Sequence, residues 1–189
     1  MQLIRSVMRV ALSPPIVLMV SKVYIPTLFP LTFLIAITSL VLDRALDGLG
    51  GLHTAQGFLP TPANYGIAVA SFVLGAVLWL WTYEVLVREG KGSPSPTAGR
   101  TQRLVTTGIY AYCRNPSIYG KLFGVMAVGF ALNSFSFCFI LVPLLLTGSL
   151  VEKVWRQEPQ LVEVFGEEYV QYQKDVPLFF PWKLFLPKR

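Results

Sequence analysis

Histidine occurs once and cysteine twice in 189 residues, and that scarcity removes much of the chemistry that needs a metal. Structural and catalytic zinc sites draw three or four ligands from closely spaced cysteine and histidine. Cys113 and Cys138 cannot define such a site, and His53 stands apart from every other candidate residue. Also missing are a Gly-x-Gly-x-x-Gly turn after a strand, a Gly-x4-Gly-Lys-Ser/Thr phosphate loop and a Gly-x-Ser-x-Gly nucleophile. Dinucleotide and nucleotide binding of the soluble type and serine hydrolase chemistry are therefore disfavoured. Charge is sparse as well. Only 14% of residues are charged, against about a quarter in a soluble domain.

What fills the chain instead is apolar. With 53% hydrophobic residues and a mean hydropathy of +0.56, it reads as an integral membrane protein. Charge-free runs from Val23 to Leu42 and from Ala63 to Tyr83 each provide about the 20 residues that one helical span needs. The run from Leu122 to Val151 is longer than one span and shorter than two. Asn133 and Ser134 near its middle favour a helical hairpin; the alternative is one long helix kinked at Pro143. Ahead of these, Val10 to Ser21 is too short to span and contains Pro14 and Pro15. It reads as an interfacial or partly inserted helix. The expected fold is all-α, with about four transmembrane helices in one membrane domain covering residues 1–189.

The net charge of +6 is distributed as a membrane topology requires. Basic residues exceed acidic ones before Val23 (Arg5, Arg9, Lys22) and between Glu84 and Pro116 (Arg88, Lys91, Arg100, Arg103, Arg114), whereas Asp43 to Pro62 is slightly acidic. Lys and Arg collect in short cytoplasmic loops, so both termini and the loop from Arg88 to Thr107 are placed on the cytoplasmic side, and His53 outside. The basic surplus reflects this topology and contact with the lipid bilayer, not nucleic acid. Lys153 and Arg156, directly after the long run, return the hairpin to the cytoplasm. Gly120 and Gly124 on its first arm have the small-xxx-small spacing of closely packed helices. Beyond it, Leu161, Val164, Phe165, Tyr169 and Tyr172 recur at helical spacing, which predicts an amphipathic cytoplasmic helix. The aromatic tail through Phe179, Phe180 and Trp182 suits the headgroup zone.

Polar residues concentrate at the mouth of the hairpin. Arg114 beside the bilayer needs a partner, and Glu158 is available after the other arm. An ion pair that only closes the hairpin is the structural alternative. Asn115 and Pro116 read as a helix start, and a helix N-terminus beside an arginine is also a ready site for a carboxylate.

These residues fall in two ordered blocks. Leu104, Val105, Gly108, Tyr110, Arg114, Asn115, Pro116 and Gly120 make up the first; Glu158, Leu161, Phe165, Gly166, Tyr169, Tyr172, Val176 and Pro177 make up the second. Together, over about residues 90–182, they resemble the isoprenylcysteine carboxyl methyltransferase and phospholipid methyltransferase superfamily of integral membrane enzymes. The resemblance implies S-adenosylmethionine as methyl donor, held on the cytoplasmic side between the hairpin entrance and the C-terminal helix. By matched position, Gln102, Arg103, Leu104, Val105, Tyr110, Asn115, Pro116, Ser117 and Ile118 would contact the cofactor, and Gln157 and Glu158 would close over it. Arg114 and Glu158 carry the catalytic assignment. Lys153 stands where the prenylcysteine enzymes place a substrate-binding arginine. This chain departs from the family pattern in three places: Gln157 replaces a glutamate, Ile118 replaces a tyrosine with Tyr119 one position on, and Lys153 lacks the planar fork of arginine.

The resulting expectation is an S-adenosylmethionine-dependent membrane methyltransferase acting on a lipid-like or apolar acceptor, either a carboxylate of the prenylcysteine type or a phospholipid amine. An NADPH-dependent membrane reductase related to sterol reductases is a second reading, and a non-enzymatic scaffold or transporter a third.

Overall fold

The structure is a computed structural model that describes residues 29–48, 57–91 and 102–180, with the side chains of residues 29–32 left aside. The expected interfacial segment from Val10 to Ser21, the start of the first span, His53, most of the loop after Lys91 and the tail with Trp182 lie outside the described residues. Those described are helical or irregular, with no strand among them. Helices α1 (Phe29–Gly48), α2 (Ala63–Gly90), α3 (Ser117–Leu132), α4 (Phe137–Phe165) and α5 (Glu167–Asp175) follow in order, with a 3-10 turn at Gly108–Ala111.

The faces of these helices invert the arrangement of a soluble protein. Along α2 the buried positions are Asn64, Ala68, Ser71, Gly75, Thr82, Tyr83 and Gly90, all but Tyr83 small or polar, while Phe72, Val73, Leu74, Val77 and Trp81 are exposed. On α1, Ser39 and Asp43 are buried, and Phe33, Leu34, Ile37 and Val41 face outward. Lipid makes apolar burial unnecessary, so small and polar residues serve helix contact instead. α2 and α4 are long and apolar enough to cross a membrane, and only 17% and 22% of their most apolar stretches are buried. α3, at 16 residues, is shorter.

Two compact units divide the chain: Met1–Val77 with Lys121–Gly148, and Leu78–Gly120 with Ser149–Arg189. In the first, the long apolar run is interrupted where polarity predicts. α3 ends at Leu132, Asn133 takes a left-handed backbone at φ 52°, and helix resumes at residue 135. One helix kinked at Pro143 is thus excluded. Asn133 also binds the chain entering α2: it accepts from Leu59 N at 3.0 Å and donates to Leu59 O at 2.8 Å. Gly57, at φ 88°, packs directly on that amide and has no room for a Cβ. Phe58 meets Phe130, Phe135 and Phe139 with ring centroids 5.5–6.2 Å apart. Asp43 closes the turn from a different helix. Its carboxylate accepts from Ser134 Oγ at 2.5 Å and Ser136 N at 2.8 Å, while Ser134 Oγ accepts from Phe137 N at 3.2 Å. Both are helix N-caps, one local and one supplied in trans.

Two π turns interrupt α4, at Phe137–Leu141 and Lys153–Gln157. Each ends two residues before a proline, Pro143 or Pro159. A proline has no N–H to give and its ring crowds the carbonyl four residues back, and in both places the helix widens to an i→i+5 bond just ahead of it. The widening keeps one helix running from Phe137 to Phe165, so the second arm extends well past Val151.

The expected C-terminal helix is two helices. Gly166, at φ 58° and ψ −137°, separates the end of α4 from α5, a conformation that glycine alone enters readily. Likewise α2 continues beyond Tyr83 to Gly90, supported by an Arg88–Glu84 ion pair at 2.7 Å one turn apart. Of the two spaced glycines on α3, Gly120 makes a close approach, where a Cβ would lie 2.8 Å from Trp79 N, whereas nothing among the described residues would lie within 4 Å of one at Gly124.

Candidate functional site

The second unit gathers the polar residues of both sequence blocks. Its apolar base is Tyr169, Tyr172 and Val176, packed with Leu104, Leu161, Val162 and Phe165. Buried tyrosines need partners for their hydroxyls, and both have one. Tyr172 donates to Tyr110 O at 2.6 Å and Tyr169 to Glu158 Oε1 at 3.2 Å. The first bond ties α5 to the 3-10 turn, and the second ties α5 to α4.

Arg114 Nη2 lies 3.2 Å from Glu158 Oε1, with side chains only 10% and 12% exposed. The backbone of Arg114 is fixed separately, its N–H donating to Pro177 O at 2.9 Å. Next to that bond, Cys113 Sγ donates to Leu178 O at 3.4 Å and Tyr119 Oη to Phe179 O at 2.6 Å. Three successive carbonyls after α5 thus hold the turn that presents Arg114. Gln173 Nε2 donates to Glu158 Oε2 at 3.0 Å. The guanidinium Nε of Arg114 is buried with no hydrogen-bond partner among the described residues, which leaves one charged donor of a buried fork unused there.

The π turn explains the other half of the cluster. In a regular α-helix, positions five apart lie about 140° apart around the axis; the i→i+5 closure returns them toward one face. Lys153 and Glu158 are accordingly both buried. Lys153 Nζ donates to Gln157 Oε1 at 3.1 Å, and Gln157 Nε2 to Glu152 Oε2 at 3.0 Å. The amide at position 157 can bridge a cation and an anion in this way, where a glutamate would offer acceptors only.

Among the other sequence candidates, Val105, Pro116 and Ile118 are buried, Ile118 at 2% exposure. Ser117 and Asn115 are half-buried at the start of α3, where Ile118 N–H donates to Asn115 O at 3.2 Å. Gln102 and Arg103 are exposed, and their backbone N–H groups reach Gly90 O at 2.9 and 3.2 Å. Sequence reasoning passed over Gln173 and took Tyr169 only for its apolar ring. The available signal was their i,i+4 spacing, which puts both polar ends on one face of α5.

Burial, and then the charge of Glu158, pushes Tyr169 well above the ordinary tyrosine range; burial does the same at Tyr110 and Tyr172. Burial also raises the Cys113 thiol, against the backbone N–H of Asn115 and the charges of Arg114 and Lys153. These groups are donors at neutral pH, not bases.

Comparison with known proteins agrees with the two-block pattern. The family model described as phospholipid methyltransferase matches residues 63–168, more than half of the chain. The chain belongs to the phospholipid methyltransferase family. Within that superfamily it is similar to proteins named protein-S-isoprenylcysteine O-methyltransferase. Identity is 33% over 82 residues with the mouse protein, covering 43% of this chain and 29% of the relative. It is 37% over 78 residues with the Schizosaccharomyces pombe protein, covering 41% and 33%, and 32% over 82 residues with the human one, covering 43% and 28%. The chain thus spans a third or less of the length of these curated relatives in the matched region. No solved structure matches it. The apolar helices of the chain agree with a membrane setting.

Proposed function

We propose that the protein is an S-adenosylmethionine-dependent methyltransferase of the membrane, taking a lipid-like acceptor whose nucleophilic oxygen is already ionised, such as a carboxylate. In this reading α1 and both arms joined at Asn133 join α2 in the bilayer, about four spans in all. The site and both termini face the cytoplasm, and α5 lies at the surface with its polar face outward.

One observation carries the proposal: the buried Arg114 guanidinium, held by Glu158 yet keeping an unused N–H, inside the segment that the methyltransferase family matches. A carboxylate is what such a group accepts best, and the amino-acid end of S-adenosylmethionine has one. The residues present fit the cofactor. Arg114 would hold its carboxylate; Tyr110, Val105 and the chain from Asn115 to Ile118 would provide the surrounding wall; Gln157 and Glu158 would close it. When bound, S-adenosylmethionine supplies an electrophilic methyl group that transfers by in-line displacement. The chain's own part is alignment and exclusion of water.

The protonation states favour the ionised acceptor over an amine. An amine must lose a proton during methylation, and the donors around Arg114 offer no base near neutral pH. Both oxygens of Glu158 already accept hydrogen bonds, and the three tyrosines and Cys113 hold their protons. Lys153, in this reading, attracts the acceptor's negative charge. The test is to incubate the protein in lipid with methyl-labelled S-adenosylmethionine and a lipid extract, then treat the products with mild base. Base-labile label is expected, as a methyl ester requires. Base-stable label in a phospholipid would assign an amine acceptor, and no label with no cofactor binding would overturn the methyltransferase reading.

A further inference from the structure

A carboxylate facing a buried arginine ordinarily takes two of its N–H groups, because paired charge-assisted bonds are the stronger arrangement. Glu158 does not engage Nε of Arg114. Its Oε1 lies 3.2 Å from Nη2, and Nε, although buried, has no partner among the described residues. The reason is visible on α5. Tyr169 Oη donates to Oε1 at 3.2 Å and Gln173 Nε2 to Oε2 at 3.0 Å, one turn apart on the same helix face. Two neutral donors therefore restrain both oxygens.

We propose that Tyr169 and Gln173 are positioning residues that stop Glu158 from closing on Arg114, and so keep the Nε–H of Arg114 open to the carboxylate of a bound ligand. The inference rests on the S-adenosylmethionine reading above and goes beyond it, because both side chains would act through Glu158. Glu158 is not spent as a plain counter-ion. It cancels the cost of burying the arginine while α5 withholds it from the one donor that recognition uses. Without either donor, the freed carboxylate turns onto Nε, and the site becomes a closed ion pair that is folded but unable to bind.

That consequence separates positioning from ordinary structural support. The test uses the full chain in lipid nanodiscs and three probes: S-adenosylmethionine, S-adenosylhomocysteine, which keeps the carboxylate, and methylthioadenosine, which lacks it. Gln173→Leu and Tyr169→Phe should each weaken both carboxylate-bearing ligands about tenfold or more, the scale of one charge-assisted hydrogen bond. They should leave methylthioadenosine binding and the melting temperature unchanged. Using both variants guards against one that misfolds. Equal weakening of all three probes, or a lowered melting temperature with unchanged affinities, would overturn the inference and leave a purely structural role. Wild-type protein that binds none of the probes would overturn the cofactor reading itself, a result distinguishable from the first because no variant is needed to see it.

Discussion

Each compact unit of the molecule buries one carboxylate among polar partners, and the two are used in opposite ways. Asp43, 2% exposed, caps a helix: Ser134 Oγ and Ser136 N converge on it where the second arm begins. Glu158 is paired with a full cation and also accepts from Tyr169 and Gln173. Each cluster leaves an atom over, Ser136 Oγ in the first and Arg114 Nε in the second. A neutral hydroxyl that can rotate is cheap to leave so; a charged guanidinium donor is not. Buried polarity alone therefore does not mark the reactive place. In the proposed reading, unused charged hydrogen-bonding capacity does.

The sharpest way to break this comparison is to remove each centre in turn. Arg114→Ala should lower methyl transfer by roughly a hundredfold or more, as loss of a preorganised charged donor does. It should abolish S-adenosylmethionine binding and destabilise the fold by about 3–5 kcal/mol, since Glu158 is left buried without its cation. Asp43→Ala should cost about 1–3 kcal/mol through the lost cap and the stranded serine, read as a lower melting temperature. Cofactor affinity should not change. Binding calorimetry on both variants checks the pair; a folded Asp43→Ala protein that no longer binds would erase the distinction.

Much of the second unit was legible because its chemistry is local in sequence. Arg114 needed an acid near the bilayer surface, and Glu158 stands a few residues past the long run; in the first unit, Asn133 and Ser134 near the middle of that run offered the polar pair to turn it. Other features depend on contacts that no short window contains. Asp43 caps a turn 91 residues away, so its acidity reads as an outer-loop charge until the helices are placed. The continuity of α4 through Pro143 and Pro159 depends on two π turns, and a proline in a sequence signals an interruption more readily than a widened helix. Tyr169 illustrates a third kind of miss. Its ring fits an apolar face and its hydroxyl a polar network, and helical periodicity registers the ring alone. Gly124 was overread for the same reason: spacing places it with Gly120, but only the fold shows which glycine meets a backbone.

That last point gives a smaller test, this time of packing within the second unit. Gly120→Ala forces a methyl group against the backbone of Trp79 and should destabilise by about 1–3 kcal/mol. Gly124→Ala enters open space and should be neutral or slightly stabilising, since alanine suits a helix interior better. Thermal unfolding of the two variants in the same lipid decides it. Equal losses would mean that the close approach at Gly120 is not a site of tight packing.

The smallest effect concerns the tyrosines around the site. Tyr110, Tyr169 and Tyr172 all titrate above the ordinary tyrosine value of about 10, burial being the main cause. In the unfolded chain they ionise near that value while the folded chain keeps its protons. Above pH 10 the unfolded state therefore binds fewer protons, and the slope of stability with pH is negative. The contribution is whole below pH 10 and is lost progressively as pH rises from there toward the folded values. Tyrosinate absorbance during alkaline titration should show these three ionising only as the protein unfolds, in step with the loss of helix. Tyr169→Phe should remove one of them and flatten the slope. Part of the alkaline limit of the fold thus belongs to the unit that holds Arg114, where the buried hydroxyls of Tyr169 and Tyr172 also hold Glu158 and the turn at Tyr110 in place.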